Sequence, residues 1–358
     1  MPDDDSRRMD MALSLAARGW GQTSPNPMVG AVIFAGEDLV GEGFHERFGS
    51  PHAEATALTQ AGERARGATL YVNLEPCNHQ GRNPPCTDAI IAAGIARVVI
   101  AILDPNPVAA GGAERLRAAG IIVDVGVSDQ DARELNASFF NRLTNDRPWV
   151  TLKLAVSLDG AISSASQGRD LISGQESDAV VQRMRANSDA IAVGVNTALV
   201  DDPRLTARSE PPPRVAPTRV VFDRKARLSP NSVLARTASE IPTLLVTGSG
   251  TRLPGELERC GVEAVSAHDL GEALRKLMQR GIASILVEGG AGLAASFLDA
   301  GFVHRLVMFR APIVLGDGAL NAFSGVAAHE ASLAPRFHLL QCRTLGDDVM
   351  SVYAPEPI

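Results

Sequence analysis

Three short segments constrain this chain more than any bulk property: Pro51-His52-Ala53-Glu54, Glu75-Pro76-Cys77 and Pro84-Pro85-Cys86. One imidazole and two thiols form the ligand set of a zinc ion that keeps a fourth position open for water, and so of a zinc that does chemistry. For His52, Cys77 and Cys86 to share one ion, three separated pieces of chain must converge. Zinc of this kind lowers the pKa of water, which makes hydroxide available near neutral pH. Glu54 stands beside the ligands without being needed as one, placed to move protons. His52 and Cys86 each follow a proline and are expected at helix N-termini, where the dipole favours a thiolate at Cys86.

The order H-x-E, then P-C-x-x-C, with the glutamate as acid and base, is the general layout of zinc-dependent base deaminases. This chain departs from it in one respect. Eight residues, not two, lie between the cysteines, because Asn78-His79-Gln80-Gly81-Arg82-Asn83 is inserted there. Cys77 is therefore expected from the loop after a strand, not from a helix start. Two blander readings compete. The three residues could be separate core side chains, or the zinc could be structural, with His79 as a fourth ligand and no task for Glu54.

The surrounding pattern alternates strands and helices, which implies an α/β layer around a central sheet. Strands are expected at 29–34, 39–42, 69–74, 98–103 and 121–125. Helices are expected at 9–18, 53–65, 85–93 and 113–119, with Gly94 closing the third. The polar, proline-terminated run Arg142–Pro148 marks a boundary, giving units 1–145 and 146–358. The pattern then restarts, with strands at 149–155, 190–194, 218–222, 243–246, 284–288, 305–311 and 349–353. Helices fit at 176–186, 271–279 and 293–299, and the proline-rich stretch 209–217 is a loop.

Two domains suit 358 residues, and 45% hydrophobic residues can fill a core in each. Aromatics make up only 4%, so those cores rest on Ala, Val, Leu and Ile. A net charge of −7 and a pI of about 5.6 argue against a broad nucleic-acid footprint. The polar start MPDDDSRRMD lacks the apolar core of a signal peptide, and no apolar run is long enough to span a membrane. Four cysteines are too few for a disulfide scaffold. A cytoplasmic protein with reduced thiols is expected, with Cys260 and Cys342 buried.

In the second half, the strand 284–288 runs into Gly289-Gly290-Ala291-Gly292, and backbone N–H groups at a helix start suit a phosphate. Gly290-x-Gly292-x-x-Ala295 loosely mimics a dinucleotide fingerprint. A tight strand-to-helix turn would explain the same glycines.

The chain resembles the bifunctional riboflavin-biosynthesis deaminase/reductase family. In the first half the resemblance rests on Ser24-Pro25-Asn26-Pro27-Met28-Val29-Gly30, Gly43-Phe44-His45, Pro51-His52-Ala53-Glu54 and the whole run Glu75–Cys86, including its widened cysteine spacing. In the second it rests on Lys153–Gly160, Asp201–Arg208 and Val287-Glu288-Gly289-Gly290. It implies a cytidine-deaminase-like α/β/α domain followed by a dihydrofolate-reductase-like α/β domain, with Zn2+ and NADPH as cofactors. It also implies two sequential reactions. The first is hydrolytic deamination of a diaminohydroxy-phosphoribosylamino-pyrimidine. The second is reduction of the ribosyl chain of the resulting aminouracil to ribityl.

By resemblance, Asn26, His45, His79 and Arg82 contact the deaminase substrate. Ala155, Leu171, Thr197 and Asp201 line the nicotinamide nucleotide, Leu171 standing where relatives often carry an aromatic. Gly290, Ala291, Gly292, Leu293, Ala294, Ala295 and Ser296 hold the NADPH pyrophosphate. Arg169, Arg185, Leu205, Arg208 and Glu288 surround the reductase substrate, while Lys153, Ser157 and Asp159 help position the ring. The partners implied are small molecules, with no nucleic acid and no membrane, and the assembly is a homodimer through the reductase half. The alternatives are a zinc nucleoside or base deaminase with a degenerate second half, and a zinc-stapled binding module without catalysis.

Overall fold

The computed structural model describes residues 4–80, 84–164, 171–327, 330 and 332–356. The chain divides into two compact units at Thr144/Asn145.

The first unit opens with α1 (Asp4–Ala16), followed by β1 (Gly30–Ala35), β2 (Asp38–Phe44), α2 (Ala53–Ala61), β3 (Thr69–Val72) and α3 (Cys86–Ala93). It continues through β4 (Arg97–Ile100), α4 (Gly112–Ala118), β5 (Ile122–Val125), α5 (Asp129–Leu135) and α6 (Ala137–Thr144). The sheet order is β2-β1-β3-β4-β5. β1 pairs antiparallel with β2 and β3, and β3, β4 and β5 run parallel.

Every strand of the middle three buries both faces, mostly with Ala, Ile, Leu and Val and with Phe34 and Tyr71 toward α1, as a helix-covered sheet requires. Ala57, Ala61, Ile90 and Leu116 fill the core on one side; Met9, Ala12 and Ala132 fill it on the other. Two glycines of β2 let α2 approach closely. A Cβ on Gly41 would lie 2.3 Å from Ala57 O, and one on Gly43 would lie 2.5 Å from Ala53 O.

The second unit begins with β6 (Trp149–Val156), β7 (Ala161–Ser163), α7 (Gln175–Ala186), β8 (Ala190–Gly194), α8 (Val195–Asp201), β9 (Thr218–Phe222) and α9 (Val233–Arg236). Next come β10 (Thr243–Gly248), α10 (Gly255–Arg259), β11 (Glu263–Ala267), α11 (Leu270–Gln279), β12 (Ser284–Val287) and α12 (Ala291–Asp299). β13 (Arg305–Arg310), β14 (Leu320–Asn321), β15 (Phe337–Leu345) and β16 (Asp348–Pro355) complete it. The nine-stranded sheet runs β11-β10-β9-β8-β12-β6-β13-β16-β15. Its seven strands from β11 to β13 are parallel, and the hairpin β15–β16 closes one edge antiparallel.

Helix ends follow their caps. Gly94 closes α3 in the left-handed conformation at φ 72°. Asp269 caps α11 by accepting from the Glu272 N–H at 2.7 Å. The helix expected over 53–65 breaks at Gly62, where φ is 56°, and its remainder is a 3-10 turn. α5, α6, α8, β11 and β15 have no counterpart in the sequence pattern. Cys260 is only half-buried and Cys342 lies exposed on β15, contrary to the expectation that both are buried. Cys342 is exposed because β15 is the sheet edge, with little packed over it, while Cys260 sits at the C-cap of the short helix α10.

Candidate functional sites

Three backbone devices assemble the metal cluster. His52 is the N-cap residue of α2 and sets Glu54 in that helix's first turn. Cys86 is the first residue of α3, behind Pro85. Cys77 comes from the loop after β3. That loop is pinned by the buried Glu75 carboxylate, which accepts from the N–H groups of Asp104 (3.0 Å) and Ala113 (2.8 Å). Gly112 lets α4 lie against the same loop, since a Cβ there would meet Pro76 O at 1.9 Å.

His52 Nδ1 lies 3.2 Å from Cys86 Sγ and 3.6 Å from Cys77 Sγ, and the three ligand atoms lie within 4.8 Å of one another. Tetrahedral zinc with bonds of about 2.0–2.1 Å to nitrogen and 2.3 Å to sulfur separates an N and an S ligand by about 3.6 Å. The donor set and its spacing therefore fit zinc. Among the described residues the cluster has three members, and neither His79 nor any carboxylate joins it. This is the open geometry of a catalytic site, not the closed one of a structural staple.

The start of α3 bears on both thiols. The Cys86 N–H points at Cys77 Sγ, 3.4 Å away. The Cys86 thiol also donates to that sulfur, which holds Cys77 down at about 4; Cys86 is pushed up by the shared proton and by burial. Glu54 is buried at 3% exposure, and desolvation lifts its carboxyl above the usual range. A glutamate that is easily protonated beside a metal cluster is suited to carrying a proton in both directions.

His45 and Asn26 stand next to this cluster. The His45 ring meets His52 edge-on at 5.8 Å between centroids. Its Nδ1 lies 3.2 Å from the Pro51 carbonyl, which can only accept, so Nε2 is the atom turned toward Asn26 Nδ2 at 3.4 Å. Burial lowers the His45 pKa. His79 is half-buried, and its Nδ1 is a buried atom without a hydrogen-bond partner among the described residues, as a group reserved for a ligand would be. Arg82 lies outside the described residues.

The second unit holds a cavity of about 1000 Å³ along the C-terminal ends of the parallel strands, where open α/β sheets bind ligands. Its lining runs from Lys153 on β6 to Ala267 on β11. Those strands are five positions apart in the sheet, roughly 24 Å at about 4.8 Å per strand. A trough of that length suits an extended dinucleotide.

Ala155, Leu171, Thr197, Asp201, Gly290, Ala291, Gly292, Leu293 and Ser296 all line it, as do Arg185, Leu205, Arg208 and Glu288. Space is open over Gly292 at the N-terminus of α12. Ala294 and Ala295 do not line the cavity: they turn into the core at 0% and 3% exposure. Leu171 is 84% exposed at the rim. Arg169 lies outside the described residues.

Arg185 and Glu288 form a bidentate pair at 2.6 and 2.7 Å. Burial raises the Glu288 carboxyl, but the bonds and charge of Arg185, with Lys153 nearby, outweigh it and leave Glu288 below its usual value. Burial lowers the Lys153 pKa. Ser157 and Asp159 are not at the cavity. The Ser157 hydroxyl accepts from the Ala161 N–H inside a turn. The Asp159 carboxylate holds the N–H groups of Leu315 and Gly316.

Arg224, Thr247 and Asp178 line the cavity without having been singled out in the sequence. Arg224 and Thr247 follow or end parallel strands, as Glu288 does, and that position was the available signal.

A His/Cys/Cys cluster with a buried glutamate, joined to a unit whose parallel sheet carries a long nucleotide-sized trough, defines a zinc deaminase coupled to a nucleotide-dependent reductase. Comparison with known proteins agrees. Residues 2–102 match the cytidine and deoxycytidylate deaminase zinc-binding region, and residues 148–351 match the RibD C-terminal domain. The riboflavin biosynthesis protein RibD of Aquifex aeolicus (strain VF5) is 44% identical over 97% of this chain and 97% of its own length. The Escherichia coli (strain K12) protein of that name is 40% identical over 96% and 98%.

Among solved structures, Acinetobacter baumannii RibD matches with a TM-score of 0.84 at 37% identity, covering 99% of both chains. A Thermotoga maritima diaminohydroxyphosphoribosylaminopyrimidine deaminase/5-amino-6-(5-phosphoribosylamino)uracil reductase matches with a TM-score of 0.85 at 35% identity, covering 98% of both. The chain belongs to the RibD family, the bifunctional deaminase/reductases of riboflavin biosynthesis. It carries both the zinc-binding deaminase region and the NADPH-using reductase domain. No helix among the described residues is long and apolar enough to cross a membrane.

Proposed function

We propose that residues 1–145 deaminate 2,5-diamino-6-hydroxy-4-(5-phosphoribosylamino)pyrimidine and that residues 146–358 reduce the ribosyl side chain of the aminouracil product to ribityl. One observation carries the first half: a three-membered His/Cys/Cys cluster with a fully buried, easily protonated glutamate beside it. Zinc held by His52, Cys77 and Cys86 would supply the Lewis acidity that makes water nucleophilic near neutral pH. Glu54, buried beside those ligands, is placed to hold a proton on its carboxylate and to give it to the amino nitrogen that departs as ammonia. Asn26 and His45 hold the ring, and His79 offers its unpaired nitrogen to the phosphoribosyl group, with Arg82 beside it in sequence.

In the second unit, NADPH supplies the hydride. Ala155, Leu171, Thr197, Asp201 and the segment Gly290–Leu293 with Ser296 hold it. Among the lining residues at the ends of β9, β10 and β11, Arg224 is the cation, placed to take the extra phosphate on the adenosine ribose. Its Nη1 donates to the His268 carbonyl, which orients it. Arg185, Arg208, Leu205 and Glu288 receive the substrate, with Arg169 adjoining them in sequence, and Lys153 stands over the same floor. The lining that the described residues give this trough favours a working reductase over a degenerate second half.

Two cysteines in a metal-ligand cluster and two more outside any disulfide suit a reducing cytoplasm. The unpaired β15 edge, with Leu339 56% exposed, suits isologous pairing of two reductase units. The test uses Glu54→Gln in the full chain. Zinc content should be retained and ammonia release from the pyrimidine lost, while NADPH oxidation on the aminouracil phosphate persists. No NADPH oxidation by the wild-type chain would remove the reductase half of the proposal.

A further inference from the structure

A buried carboxamide outside the metal cluster holds the segment that carries Asn26. Pro25 and Pro27 flank that residue and have no N–H to give, so its position depends on fixed points on either side. Upstream, the Asn26 N–H donates to Thr23 O at 2.9 Å. Downstream, the fixed point is Met28. The Met28 N–H donates to Asn136 Oδ1 at 2.8 Å, and the Met28 carbonyl accepts from Asn136 Nδ2 at 2.9 Å. A peptide N–H can only donate and a carbonyl can only accept, so the orientation of the carboxamide is settled. Asn73, just after β3, donates to the same carbonyl at 3.0 Å and accepts from the Gly30 N–H at 2.8 Å.

Asn136 and Asn73 are 2% and 0% exposed, so water cannot take over these bonds. One residue beyond Met28, the Val29 carbonyl accepts from the His45 N–H at 2.8 Å. Met28 thus adjoins the supports of both Asn26 and His45. Asn136 itself sits between α5 and α6, outside the matched zinc-binding region.

We propose that Asn136 is a positioning residue for deamination: by gripping both polar groups of Met28 it fixes Asn26 and His45 against the substrate. This rests on the reading that Asn26 and His45 contact the pyrimidine. The segment after β5 thereby becomes part of the deaminase machinery although none of it touches the metal cluster.

Asn136→Ala in the full chain should raise the deaminase KM about tenfold or more with kcat changed less than about threefold, because sub-ångström misplacement is felt in binding geometry. Zinc per chain and reductase kinetics should stay at wild-type values. Asn136→Asp supplies a second arm. Its carboxylate accepts from the Met28 N–H but faces the Met28 carbonyl, whereas its protonated form donates to that carbonyl as the amide does. Burial raises such a carboxyl. Relative to wild type, its KM should therefore recover as pH falls from about 8 to about 6.

An unchanged KM in Asn136→Ala overturns the proposal, and so does loss of zinc together with the KM effect, which would mark a purely structural role. If Asn136→Ala does not fold, absence of the pH-dependent recovery in Asn136→Asp overturns it. Asn26→Ala separates the two claims. An unchanged KM there refutes the substrate-contact reading, whereas a raised KM with an unaffected Asn136→Ala refutes the positioning alone. Combined Asn26→Ala/Asn136→Ala effects should fall short of the product of the single effects.

Discussion

Replacing Arg185 with methionine tests whether the reductase cavity is built around a buried ion pair. Arg185 and Glu288 meet through two bonds of 2.6 and 2.7 Å, at 14% and 11% side-chain exposure. Removing one partner of a buried pair costs roughly 3–5 kcal/mol, because the other is left desolvated and uncompensated. Lys153 remains close enough to Glu288 to return part of that, so the lower end, about 3 kcal/mol, is expected. For a unit of this size each kcal/mol lowers Tm by about 2–4 °C, which gives a shift of about 6–12 °C in the transition of the second unit.

The pH dependence follows from the sign of the Glu288 shift. In the wild type its carboxyl sits below the usual value, so the pair contributes fully above about pH 4.5 and less as pH falls through the folded value. In Arg185→Met, burial lifts Glu288 instead. The deficit should therefore shrink on acidification, as the carboxyl protonates, and grow toward neutrality. Calorimetry between about pH 5 and pH 8 reads both effects. Arg185→Met/Glu288→Met, which replaces the whole pair with apolar groups, should regain most of the lost stability. A single variant within about 1 kcal/mol of wild type would refute this account of the cavity wall, as would a double variant no more stable than the single one.

Other perturbations separate the two units. Stripping zinc with a chelator should abolish ammonia release and leave NADPH oxidation on the aminouracil phosphate intact, since the cluster and the trough belong to different units. Gly112→Ala forces a Cβ into Pro76 O and should shift the loop bearing Cys77; unfolding should show a loss of about 1–3 kcal/mol, and competition with a chelator should show weaker zinc retention. Arg224→Ala should weaken calorimetric binding of adenosine 2′,5′-bisphosphate about tenfold, or about 1.4 kcal/mol, and leave adenosine 5′-monophosphate unaffected.

Much of the metal site was legible because its chemistry and its local structure speak through the same residues. Pro85, Cys86 and Gly94 state both a thiol ligand and the two ends of α3, and the structure keeps all three roles. His52 and Glu54 likewise come with the helix that presents them. What remained hidden depended on partners distant in sequence. α5 and α6 span only seven and eight residues and bury one residue each, Ala132 and Asn141, which is too little buried apolar surface to mark either as a core helix. β15 is an edge strand with both faces mostly exposed, so it lacks the alternation that marks a half-buried strand.

One contact between the two thiol-bearing segments was also out of reach of the sequence. A helix start was visible at Cys86, but the direction of its N–H toward Cys77 depends on how the loop after β3 folds back. In the reductase unit, the glycine run located the α12 end of the trough. The opposite end, at Arg224 and Thr247, carries no motif, only a place just past a strand.

The glycines of β2 have a consequence for how freely this protein can drift. At Gly41 and Gly43 the backbone of α2 rests on the strand, with no side chain between them. The standoff of α2, and with it the reach of Glu54 and His52, is thus a backbone dimension that core substitutions cannot easily rescale. Ala57 and Ala61, buried on α2 at the Gly41 contact, share that constraint, since the Ala61 side chain already lies 3.0 Å from where a Cβ on Gly41 would stand. The deaminase unit should accordingly accept only glycine at these two strand positions, because any larger residue would lever the acid–base group away from the ligands it serves.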